Sequence, residues 1–86
     1  MRHPTEHELR QRHAARIAQL EEREVGAWKE YLAGTRSGDA LHYEQNEPFA
    51  WRRLKRMLAE LAADRRRADF DLDRGLAEAR GITRAS

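Results

Sequence analysis

The chain has 86 residues, of which 37% are charged and 40% hydrophobic, with a net charge of +2 and no cysteine. That length holds one domain at most; the lack of cysteine excludes disulfides and thiolate metal sites, and no apolar run reaches the roughly 20 residues that span a bilayer. With two Pro, five Gly and an abundance of Ala, Leu, Arg and Glu, the expected fold class is all-α.

The N-terminal residues MRHPTEHELR lack the apolar centre of a secretory signal, so a cytoplasmic location is expected. Fifteen Arg against two Lys is the usage of a GC-rich bacterial or phage genome. Thr5-Glu6-His7-Glu8 has the spacing of a capping box and predicts a helix start. From there Leu9, His13, Ile17, Leu20, Ala27, Trp28 and Tyr31 recur at three- and four-residue steps on one face, with Glu24 intruding. Gly26 weakens this helix by about 1 kcal/mol relative to Ala. Gly34 is placed to stop it, so the first helix is expected over residues 5–33.

Residues 34–47 read as a linker, because Gly34, Ser37, Gly38, Asp39 and Asn46 are turn formers. This is longer than the usual ~2–8 residues between antiparallel helices. Leu41 and Tyr43 are therefore expected to fold back on the helix ends, with a short helical turn at 39–44. Pro48 then suits the first turn of a second helix. Ala50, Trp51, Leu54, Met57, Leu58, Leu61, Ala68, Leu72 and Leu76 form one stripe, interrupted only by Arg65. The unbroken phase predicts a helix over 48–80, the competing reading being a break near Asp69 and a third helix over 70–80. Gly81 is the expected stop, with 81–86 a frayed tail.

These elements predict a single domain over 1–86, a long antiparallel helical hairpin. Each apolar stripe is about 120° wide and needs more than one neighbour. Two hairpins are therefore expected to pair into a four-helix bundle, a homodimer at micromolar concentration, with Glu24 and Arg65 pairing between subunits.

Five of the six aromatic residues lie within residues 28–51, at the turn end of the hairpin. Trp28, Tyr31, Tyr43, Phe49 and Trp51 are the candidate partner-binding residues. The plain reading is a small core sealing that end, with Trp28 packed on Trp51; the functional reading is an exposed anchor surface for another protein. Phe49 and Phe70 lie off the stripe and are the expected exposed anchors. Arg52, Arg53, Lys55, Arg56, Arg66 and Arg67 sit opposite the stripe and form the alternative, a face that tracks nucleic-acid phosphates. Glu60 and Asp64 blunt it, and no recognition motif accompanies it.

Enzyme signatures are missing from the sequence: no phosphate-cradling glycine loop, no nucleophile elbow. His42-Tyr43-Glu44 is a weak acid–base candidate, because consecutive side chains diverge. A free Met1-Arg2-His3 terminus can chelate Cu(II) or Ni(II), as any chain with histidine third can. Asp69, Asp71 and Asp73 lack the glycine and distal glutamate of a calcium loop, and His13 reads as a packed or interfacial histidine. No catalytic residue, metal or cofactor is assigned. The expected function is a noncatalytic helical assembly or adaptor protein, with a nucleic-acid-binding regulator as the alternative.

Overall fold

In the computed structural model, residues 3–35 and 40–85 are described, with side chains over 3–34 and 48–81. Two helices, α1 (Glu6–Thr35) and α2 (Ala40–Ala85), pack against each other. Thr5 caps α1: its Oγ1 accepts from the Glu8 N–H at 3.1 Å, and its carbonyl accepts from the Leu9 N–H at 3.0 Å. The side-chain bond satisfies one of the donors that a helix N-terminus leaves unpaired, and the carbonyl bond is the first of the helix itself.

The helices run antiparallel, as the pairs that cross between them show: Glu6 with Arg80, His13 with Asp69, Arg23 with Asp64 and Glu30 with Arg53. The molecule is a rod of 68 × 16 × 16 Å. Its long dimension matches the 46 residues of α2 at about 1.5 Å each. The radius of gyration is 19.6 Å, against about 12 Å for a compact domain of this length.

The helix limits differ from the sequence expectation. α1 passes through Gly34, and α2 begins at Ala40, so most of the expected linker is helical and Pro48 lies inside α2. An interior proline removes one backbone hydrogen bond and crowds the preceding turn, at about 3 kcal/mol. Ala40, Leu41, Glu44, Gln45 and Glu47 oppose that cost, because all are helix-favouring. α2 runs past Asp69 without a break and past Gly81 to Ala85. A single glycine costs a helix about 1 kcal/mol and is no stop on its own. The expected packing of Leu41 and Tyr43 on the helix ends concerns side chains outside the described residues.

The core is thin. Among the described residues the buried apolar ones are Ala27, Leu54, Leu61 and Ala68. Leu9, His13, Ile17, Leu20 and Tyr31 of α1, and Met57, Leu58, Leu72 and Leu76 of α2, are half-buried beside them. Leu54, Leu61, Ala68 and Gly75 follow one another at seven-residue steps and form the line of α2 nearest α1. At Gly75 the approach is close: a Cβ built there would lie 3.2 Å from both Leu9 Cδ1 and Cδ2. Glycine leaves the recess into which Leu9 packs.

Candidate interaction surface

The seam between the helices has two flanks of different chemistry. On one, α1 presents residues 16, 23 and 30, seven apart and hence on one face. Arg16 Nη1 donates to Asp71 Oδ2 at 3.1 Å, Arg23 lies 3.8 Å from Asp64 and Glu30 lies 3.8 Å from Arg53. All of these groups are substantially exposed, so each pair contributes about 0–1 kcal/mol. What the set does is align the helices and leave this flank polar. Arg53 is thus drawn to the flank; it does not stand opposite the stripe with the other basic residues, as the sequence reading had it.

On the other flank a groove of about 200 Å³ opens between the helices, lined by Ile17, Leu20, Leu58 and Leu61, with Glu21, Glu24, Ala62 and Arg65 at its margins. Glu24 and Arg65, which the sequence placed within the apolar stripes, are exposed on its rims. Toward the N-terminus of α1 this flank turns polar: His13 Nε2 lies 2.7 Å from Asp69 Oδ1, and Arg80 Nε donates to Glu6 Oε1 at 2.8 Å. Toward the other end it becomes aromatic.

At that end Tyr31 stands between the two tryptophans. Its ring centroid is 6.2 Å from that of Trp28, edge-on at 87°, and 5.8 Å from that of Trp51, tilted at 57°. Both separations lie in the range of favourable aromatic pairs. The sealed core expected from Trp28 packed on Trp51 is not what forms. Trp28 is 39% exposed and Trp51 41%, because their positions lie to the side of the seam rather than on it. Val25 and Leu32 are exposed nearby on α1. The groove and the three rings make one nearly continuous apolar strip along a single flank.

Phe49 and Phe70 lie elsewhere, on the back of α2, and are 66% and 64% exposed. Between them Arg52, Lys55, Arg56, Arg66 and Arg67 are exposed, and among the described residues none has a carboxylate within ion-pairing distance. Glu60, also exposed, lies between Arg56 and Arg66 along the helix. The Tyr43 side chain, the His42-Tyr43-Glu44 triplet and the Met1-Arg2-His3 chelate lie outside the described residues. Among the described residues no group of three His, Asp or Glu side chains is placed to hold a metal ion, and no helix is long and apolar enough to cross a membrane.

Sequence reasoning missed the Gly75–Leu9 recess and the sorting of charge and apolar surface onto opposite flanks. The seven-residue spacing of the charged residues Arg16, Arg23 and Glu30 carried the second signal. Compared with known proteins, the chain matches no family model, no curated protein and no solved structure.

Proposed function

We propose that this chain is a noncatalytic helical assembly or adaptor module, which works by burying its apolar flank and aromatic end against another macromolecule. The observation that carries this reading is the strip formed by Ile17, Leu20, Leu58 and Leu61 together with Trp28, Tyr31 and Trp51, open along one side of a rod whose other side is occupied by ion pairs. Large aromatics left two-fifths exposed beside an apolar groove are the composition of a protein-binding centre. The test is capture from the native host by the intact chain, with nuclease added and at moderate salt. A specific partner is expected to be retained under both treatments and lost when Trp28 and Trp51 are both changed to Ala. Retention by that double variant overturns the aromatic end as the anchor.

A second reading is favoured by one observation: the exposed cations of the α2 back face, Arg52, Lys55, Arg56, Arg66 and Arg67, which have no ion-pair partner among the described residues and are flanked by exposed Phe49 and Phe70. Guanidinium groups neutralise phosphates, and exposed rings can stack on unpaired bases. In this reading the captured material disappears on nuclease treatment and binding falls steeply as salt rises.

A further inference from the structure

We infer that the apolar flank is covered by a second copy of this chain, packed face to face with the two-fold axis along the rod, so that α1 of each subunit lies over α2 of the other. This rests on the assembly reading above and names the first occupant of its surface.

Three observations point to it. The chain exposes 7136 Å², whereas a compact monomer of 10.1 kDa exposes about 5,300 Å². It therefore carries about 1,800 Å² more surface than its mass requires. The available face is also large enough: 16 Å wide and about 45 Å long over α1, it offers a footprint of about 720 Å² per chain, close to the ~800 Å² per partner of a standard stable interface.

Charge then selects the arrangement. Glu21 and Glu24 stand on the α1 rim of the groove and Arg65 on the α2 rim. All three are exposed and, among the described residues, none is within ion-pairing distance of an opposite charge. They share one level of the rod, since neighbouring Arg23 and Asp64 are paired across the seam. A two-fold axis along the rod brings the α1 rim over the α2 rim at the same level. Glu21 and Glu24 then meet Arg65 of the partner subunit, and the contact occurs twice. An axis across the rod at this level sets glutamate over glutamate and arginine over arginine instead, which like-charge repulsion opposes. With the axis along the rod every helix is antiparallel to both neighbours, so the helix dipoles are opposed throughout. The aromatic ends of both chains then share one end of the bundle.

Sedimentation equilibrium tests this with four samples of the full chain: wild type, Arg65→Glu, the double variant Glu21→Arg/Glu24→Arg, and an equimolar mixture of the two variants. All three sites are exposed helix positions, so circular dichroism should show an unchanged helix content. The wild type is expected to be a dimer at micromolar concentration. Each variant alone should raise the dimer Kd at least about tenfold, through like charges at both half-sites. The mixture should restore a dimer near wild-type strength, because both half-sites are then oppositely charged. A mass near 10.1 kDa at every concentration overturns the second copy, while the adaptor reading stands or falls on its capture experiment. A wild-type dimer that tolerates Arg65→Glu, or a mixture no tighter than its components, overturns the arrangement.

Discussion

Gly26 lies mid-helix in α1, exposed, with nothing within 4 Å of where its Cβ would be placed. Gly26→Ala should therefore gain the intrinsic helix preference alone, about 0.5–1 kcal/mol, read as a higher midpoint in chemical denaturation. Gly75 differs, because a methyl group there must displace the tip of Leu9 at 3.2 Å. Gly75→Leu should destabilise, whereas Gly26→Leu should not. The packing residues separate just as clearly. Leu54 is 2% exposed, and Leu54→Ala should cost about 2–5 kcal/mol. A domain of this size has only ~5 kcal/mol in hand, so the variant should be largely unfolded by circular dichroism. Trp28→Ala removes a larger side chain but one already partly in water, and the monomer should lose less than it does at Leu54. A greater loss at Trp28 would mean that the ring is far better buried than its position implies.

At the scale of elements, what was legible in the sequence is what periodicity encodes. The cap at Thr5, the seam residues Leu54, Leu61 and Ala68 and the pairing of two long helices all follow from three- and four-residue spacing. The start of α2 was not legible, because Pro48 after Asn46 imitates a helix opening, and a proline that interrupts a helix has the same local signature as one that begins it. The aromatic end was only half legible. Spacing brings Trp28, Tyr31 and Trp51 to one end, but a shift of one position from the seam decides whether a ring is enclosed or half in water. The back of α2 provides an element-scale test of the second reading. Changing Arg52, Arg53, Arg56, Arg66 and Arg67 to Gln keeps strong helix formers and, among the described residues, removes only the exposed Arg53–Glu30 pair, at 3.8 Å, so helicity should be preserved. If phosphates bind there, the slope of log K against log salt for duplex DNA should shrink by about 0.9 per lost contact. Fluorescence anisotropy with random duplexes measures it, and the assembly reading expects weak binding at physiological salt with or without the changes. Submicromolar binding abolished by the five changes would reverse the order of the two readings.

Taken whole, a rod of 68 × 16 × 16 Å migrates as a larger particle than a sphere of equal mass, so its assembly state must be read by light scattering or sedimentation rather than elution volume. The two tryptophans provide an internal reporter, since both lie on the flank assigned to the second copy. Their emission should be red-shifted and readily quenched at high dilution, then shift to the blue as the dimer forms. Emission that stays constant while the mass doubles would place the contact elsewhere. One further property follows from the line Leu54, Leu61, Ala68, Gly75. A seam repeating every seven residues is in general indifferent to sliding by one repeat, about 10 Å, and equal side chains would fit equally well in either position. Here the side chains diminish along the helix, and the last recess already stands 3.2 Å from Leu9. Sliding by one repeat would force Leu9 onto the methyl of Ala68 and open a void where a leucine had been. The graded sizes act like the wards of a key, admitting a single alignment of the two helices.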